Sequence, residues 1–296
     1  MEDLLLSSSQ LQNHTNLYID LKKSKIGDQG TIQLSSIITE CTNMKTLVLL
    51  LENSIVGDQI LSKIGLALQQ GLPLSYLSLD FGNNKYGNSG LLNLCLGIAS
   101  CPEISTLKLS LCRSNIGQQG AQDLSAALTK CYQLAHLHLN LGSNKIDDLG
   151  ISSLSISLTS YSQLSVLNLN LSNNSFKDQA FESLGSGIGN CKNLKSLVLN
   201  LEFNYNFCAS SASKLGIGLA NCSNLSHFIL LLQRNGIGFQ GVSNLISALV
   251  HCSKLYVFEL WSRECEIYEK GKKKLLKQLH KLKKLVKGFV LVYESF

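Results

Sequence analysis

The same short phrase comes back about every thirty residues, and that recurrence limits the fold more than any other property of the chain. Ile26-Gly27-Asp28-Gln29-Gly30 returns as Val56-Gly57-Asp58-Gln59, Tyr86-Gly87-Asn88-Ser89-Gly90, Ile116-Gly117-Gln118-Gln119-Gly120 and Ile146-Asp147-Asp148-Leu149-Gly150. A blurred copy stands at Phe176-Lys177-Asp178-Gln179-Ala180, and a clear one at Ile237-Gly238-Phe239-Gln240-Gly241. Self-similarity at such a period marks a stack of small units, each unable to bury its apolar face alone. The 296 residues could hold two ordinary domains, but the repeat leaves no room for a second. A single domain over 1–296 is expected, with a degenerate half-repeat at 1–16 and a basic capping repeat at 264–296.

Two periodicities coexist within a unit. The first is alternation, as in Leu47-Val48-Leu49-Leu50-Leu51, Leu107-Lys108-Leu109-Ser110-Leu111 and Leu137-His138-Leu139-Asn140-Leu141, the pattern of a half-buried strand. The second is an i, i+4 apolar pair, such as Leu94 with Ile98, Leu124 with Leu128 or Leu215 with Leu219, a narrow stripe on a short helix. Each unit therefore reads strand, turn, helix. One position between strand and helix holds Ser24, Ser54, Asn84, Ser114, Asn144, Asn174, Asn204 and Asn235. Where a chain leaves a sheet, inward amides lose their ladder partners, and a buried amide side chain can donate and accept at once. These side chains are expected to be structural.

The phrase Leu164-x-x-Leu167-x-Leu169-x-Leu171-x-x-Asn174-x-Phe176, followed in most copies by a glycine-containing turn and a helix, resembles leucine-rich repeats. More narrowly it is similar to the ribonuclease-inhibitor-like subclass, over about residues 14–293. The resemblance implies an α/β solenoid of about nine units, curved into an arc, with a parallel sheet on the concave face and helices on the convex face. It also implies protein binding on the concave sheet, since members of that class act as inhibitors, GTPase activators, sensors or scaffolds. The alternating segment here runs two residues beyond the usual pattern, which weakens any transfer of contact positions. A closed (β/α)₈ barrel is the rival fold. Barrel strands are buried on both faces, whereas Ser78, Asp80, Asn140, Asn168 and Asn170 occupy alternate strand positions here.

Composition narrows the class. Hydrophobic residues make up 45% with only two prolines, so an ordered core is expected. The start, Met1-Glu2-Asp3-Leu4-Leu5-Leu6, does not read as a signal peptide, and no run approaches the ~18 apolar residues that cross a bilayer. Six of ten cysteines (Cys41, Cys101, Cys131, Cys191, Cys222, Cys252) share one repeat position with Gly71, Tyr161 and Leu282. A position shared in this way is a packing position, so free thiols in a reducing, cytoplasmic setting are expected. The net charge of +6 falls entirely after residue 253, where eleven Lys/Arg face five Glu.

Outward strand positions form two rows. One runs Tyr18, Val48, Ser78, Lys108, His138, Asn168, Val198, Ile229, Glu259; the next runs Asp20, Leu50, Asp80, Ser110, Asn140, Asn170, Asn200, Leu231, Trp261. Asn140, Asn170 and Asn200 are expected to bond to one another as a stacked row. Val198, Ile229, Leu231 and Trp261, with Gln233 and Arg263 alongside, form an apolar cluster of the kind that anchors protein partners. His136 and His138 share a strand face but no third metal ligand stacks beside them. Nine lysines lie between Lys270 and Lys287, and Lys272, Lys273, Lys274, Lys277 and Lys281 read as a basic patch on the last helix. That helix is first a solubilising cap, with acidic protein, nucleic acid or anionic lipid as its conceivable ligands. Phe289-Val290-Leu291-Val292-Tyr293 is expected to close the stack as a strand. Leu4 and Leu11 fall in register with Leu34 and Cys41.

No catalytic motif is present: Gly185-x-Gly187-x-Gly189 lies in a helix segment rather than a strand-to-helix turn, and Walker, GxSxG, HExxH and CxxC spacings are absent. The sequence thus points to a non-catalytic protein-interaction or scaffold subunit of a larger, cytoskeletal or ciliary assembly, with no cofactor, metal or small-molecule substrate. Two other readings stay open. One is an accessory regulator of a small GTPase acting through Arg113, Asn115, Asn144 or Lys145; the other is lipid or RNA binding by the lysine-rich helix.

Overall fold

Ten strands and nine helices alternate along the chain in a computed structural model that describes residues 14–282 and 287–291. The order is β1 (Asn16–Asp20), α1 (Asp28–Glu40), β2 (Thr46–Leu50), α2 (Asp58–Leu68), β3 (Tyr76–Asp80), α3 (Asn88–Ala99), β4 (Thr106–Ser110) and α4 (Gln118–Leu128). It continues with β5 (His136–Asn140), α5 (Asp148–Leu158), β6 (Val166–Asn170), α6 (Asp178–Asn190), β7 (Ser196–Asn200) and α7 (Ala209–Leu219). The last elements are β8 (His227–Leu231), α8 (Gly238–Ala248), β9 (Val257–Trp261), α9 (Glu269–Leu279) and β10 (Lys287–Leu291). Nine strand–helix units and a final strand result, one strand more than the nine units alone require.

All strands are parallel and pair in chain order, β1 to β10, so the sheet is open and the barrel is excluded. The fold is an α/β leucine-rich-repeat solenoid. Strands stack about 4.8 Å apart while packed helices need about 8–10 Å, so the sheet takes the inner, shorter side of the stack. The closing strand begins two residues earlier than Phe289; Val292 and Tyr293, like Leu4 and Leu11, lie outside the described residues.

Side chains show why each element forms. Leu47 and Leu49 of β2 are fully buried while Val48 and Leu50 between them are half-exposed, which is the period of two realised. Helices of 11–13 residues are marginal alone in water, and here each buries its stripe, as Leu124 and Leu128 do on α4.

The recurrent phrase is a capping device between units. Asp58, at the start of α2, accepts at Oδ1 from the backbone N–H groups of Gly87 (2.6 Å) and Gly90 (3.1 Å), so it caps α3. Gly90 must lack a side chain, because a Cβ there would stand 2.6 Å from the Asp58 Cα. In a later unit Asp148 accepts from Lys177 N–H at 2.6 Å.

The turn asparagines act as expected. Asn84 Oδ1 accepts from Ser54 N–H (3.0 Å) and Val56 N–H (2.9 Å), while Nδ2 donates to the carbonyls of Leu51 (2.8 Å) and Phe81 (3.0 Å). Asn144 does the same between Ser114, Ile116, Leu111 and Leu141. The cysteine row is buried and unpaired. Cys131 donates its thiol to the carbonyl of Ile98 at 3.7 Å, and burial pushes the thiol up to about 12. Tyr161, in the same row, donates its hydroxyl to the Leu128 carbonyl at 2.9 Å.

Candidate partner-binding surface

Strand register places the two outward rows as the alternation predicts. Tyr18 pairs with Val48, Val48 with Ser78, and so on through Lys108, His138, Asn168, Val198 and Ile229 to Glu259. The second row runs in the same way from Asp20 to Trp261. The surface is therefore built by backbone hydrogen bonding, which fixes each side chain to within one strand spacing of its neighbour.

The apolar cluster is contiguous. Val198 pairs with Ile229, and Leu231 pairs with Trp261, and all four are half-exposed on the open face of β7, β8 and β9. Trp261 does not end the stack, because Leu291 of β10 pairs beyond it. Gln233 follows β8 half-buried, and Arg263 follows β9 exposed.

A charged group at this rim escaped the sequence. Glu264 is held by two arginines: Arg234 Nε lies 2.8 Å from Oε2 and Arg263 Nε 3.4 Å from Oε1. The Arg234 guanidinium also stacks over Phe203, 5.2 Å from the ring centroid. Arg263 is thus already engaged, and Arg234 is the arginine that is fixed in place. The signal was thirty-residue spacing between Arg234 and Glu264, which puts opposite charges side by side on consecutive turns.

Across β3–β6 the sheet face is polar and forms a trough of about 390 Å³, walled by Ser78, Asp80, Lys108, His138, Asn140 and Asn168 among others. His138 is held below its ordinary titration range by burial first, then by the charges of Lys108 and His136. The expected row of mutually bonded asparagines is not what forms. Asn140, Asn170 and Asn200 each accept at Oδ1 from the backbone N–H two residues on, that of Gly142 (3.1 Å), Ser172 (3.0 Å) and Glu202 (2.9 Å). A strand end leaves that N–H without a ladder partner, and it lies closer than the next side chain.

A second depression, about 350 Å³, lies on the loop rim and gathers Arg113, Asn115, Asn144 and Lys145. Asn144 is buried and its amide is fully bonded within the turn, so it is unavailable to a ligand; Arg113, Asn115 and Lys145 are exposed. His136 Nδ1 lies 3.2 Å from Thr106 Oγ1, and no group of three metal-ligating side chains gathers among the described residues. No helix among them is long and apolar enough to cross a membrane.

On α9 the basic residues divide. Lys273, Lys274, Lys277 and Lys281 are exposed, whereas Lys272 points towards the packed side and is half-buried. Lys274 Nζ stands 5.7 Å from the Phe239 ring centroid.

No family model matches the chain, and no curated protein matches it. Among solved structures it is similar to one titled "Leiomodin-1 Actin-Binding Site 2 (ABS2)", at 12% identity, covering 66% of this chain and 88% of that one with a TM-score of 0.38. So distant a likeness carries no functional argument.

Proposed function

We propose that the chain is a non-catalytic protein-binding subunit, of the ribonuclease-inhibitor-like kind of repeat protein, that holds a partner against the C-terminal part of its sheet. The supporting observation is the cross-strand cluster Val198, Ile229, Leu231 and Trp261, half-exposed on a rigid sheet. An aromatic anchor among aliphatics beside a fixed arginine has the composition of an interface centre. Gln233, Arg234 and Glu264 supply a polar rim. Work within a larger cytoplasmic assembly, cytoskeletal or ciliary, fits a chain whose surface is extended and whose thiols are unpaired.

The test is affinity purification of the natural partner followed by quantitative binding to Trp261→Ala and Leu231→Asp. Loss of an interface-centre side chain costs about 2 kcal/mol or more, roughly a thirtyfold weaker complex. Unchanged affinity in both folded variants would remove the cluster from the interface.

A second reading rests on the rim depression. Arg113, Asn115 and Lys145 converge there and would reach a nucleotide site in trans, as an accessory regulator of a small GTPase requires. Hydrolysis by candidate GTPases that is no faster with the protein than without it would dismiss that reading.

A further inference from the structure

The last helix carries charge in a pattern that the cap role does not require. Lys270, Lys273, Lys274 and Lys277 fall within about 100° of one another around the helix axis, and Lys281 continues the row in the following turn. All five are exposed. The opposite side is apolar and fully committed to the core, with Leu275 at 0%, Leu279 at 3% and Leu282 at 8% exposure. Gln278 binds the neighbouring helix through Ser243 and Ser247, which fixes how α9 is turned.

Among the described residues these lysines have no ion-pair partner. Ion pairs among the described residues join Lys214 to Glu182 and Glu264 to Arg234 and Arg263, and none reaches the row on α9. Lys270 with Lys274, Lys273 with Lys277 and Lys277 with Lys281 are i, i+4 pairs of like charge, each of which weakens a helix by a few tenths of a kcal/mol. Residues 1–253 carry fifteen basic and fifteen acidic side chains, so the rest of the chain neither offsets nor shares this charge.

We propose that the outer face of α9 docks an acidic protein segment whose carboxylates repeat at helical spacing, on a surface separate from the sheet. The row spans roughly 16 Å at 1.5 Å per residue, so two to three turns of an acidic helix match it. A bilayer is disfavoured because an interfacial helix offers its apolar face to lipid, and that face is buried here. One aromatic, Tyr268, is exposed at the helix start, which is too little to anchor a membrane. Nucleic acid is disfavoured because the row presents lysines without arginines or stacking rings.

The experiment measures binding by fluorescence anisotropy at 50 and 150 mM salt. The probe is a labelled alanine-rich helical peptide of 20 residues with glutamates at i, i+3, i+4, i+7 and i+11. One variant replaces Lys270, Lys273, Lys277 and Lys281 with Gln, leaving Lys274 against Phe239. A control of equal net charge replaces Lys22, Lys23, Lys25 and Lys45, all exposed at the far end. The first variant should bind at least tenfold more weakly and the control within twofold, and a peptide with the same glutamates shuffled should bind several-fold more weakly to wild type. Should the first variant not fold by circular dichroism, Lys273→Gln with Lys277→Gln replaces it, with at least threefold weakening expected. Equal loss in variant and control would overturn the proposal, as would no loss. Tighter binding to a 20-nucleotide oligo(U) or to vesicles with 30% phosphatidylserine than to the peptide would also overturn it. Failure here leaves the sheet-face reading untouched, because no residue is shared.

Discussion

Gly185 and Gly218 meet face to face between α6 and α7: a Cβ on Gly218 would stand 2.0 Å from the Gly185 carbonyl carbon. Backbone rather than side chain fills this contact, so nothing flexible can give way. Alanine normally improves a helix by ~0.5–1 kcal/mol over glycine, yet Gly218→Ala should destabilise by about 2 kcal/mol or more because the two helices must part. Gly236→Ala, whose Cβ would meet only the Tyr205 carbonyl oxygen at 3.9 Å, serves as the contrast and should change stability by less than ~0.5 kcal/mol. Urea unfolding of both variants measures the difference, and a Gly218→Ala protein as stable as wild type would contradict the contact.

Ser262 occupies a row otherwise held by Leu51, Phe81, Leu111, Leu141, Leu171, Leu201 and Leu232. It is 0% exposed, and its hydroxyl has no hydrogen-bond partner among the described residues. An unsatisfied buried hydroxyl costs about 1–3 kcal/mol, so Ser262→Ala should stabilise the protein by roughly 1 kcal/mol, or ~2 °C in Tm. Scanning calorimetry showing a lower Tm would mean that the hydroxyl does useful bonding.

Cys208, half-exposed like Cys112, stands apart from the buried thiols. It caps α7, accepting from the Ser211 backbone N–H, and hydrogen bonds from Ser210 and Ser211 hold it below the ordinary thiol range. Both hydroxyls also donate to Asp178, whose carboxyl they lower, and each has only one proton to give. Asp178 therefore competes with the sulfur for their protons. Limited alkylation at pH 7 should therefore label Cys208 ahead of Cys101, whose thiol burial raises to about 12. Asp178→Ala should raise the Cys208 rate several-fold by freeing both hydroxyls. Peptide mapping in which Cys101 is modified first would refute this.

His138 titrates low, so the folded protein resists its protonation while the unfolded chain accepts a proton near pH 6.5. The sign follows: stability is unaffected above that pH and declines as pH falls through it, because the unfolded state binds the proton first. Lys108→Ala should raise the His138 titration only part of the way back, since burial is the larger cause. Histidine ring resonances followed by NMR measure the shift; a midpoint unmoved by Lys108→Ala would exclude the charge effect.

The outward rows were legible because alternation fixes facing absolutely: Val198, Ile229, Leu231 and Trp261 could sit together in one register and no other. The turn asparagines were legible for a similar reason, since the backbone demand at a sheet exit is generic. What escaped depended on distances that a repeat count does not carry. Asn140, Asn170 and Asn200 satisfy their own strand ends rather than each other. Gly185, Gly187 and Gly189 were noticed only as an unlikely phosphate loop, although their spacing marks a close helix contact. Lys272 was grouped with the other lysines by proximity in sequence, yet 100° per residue turns it away from them.

Between β7 and β8 the spacing rises to thirty-one, as Ser196 pairs with His227. The extra residue, at 205–206, interrupts the run of turn amides: Asn174 N–H is received by Asn204 at 3.0 Å, but Asn235 Oδ1 is buried and has no donor among the described residues. In a linear array cooperativity passes only through nearest neighbours, so the weakest junction decides where the array divides. With that bond missing, the turn at Asn204 should exchange its amide protons faster than the turn at Asn174, where the bond is made.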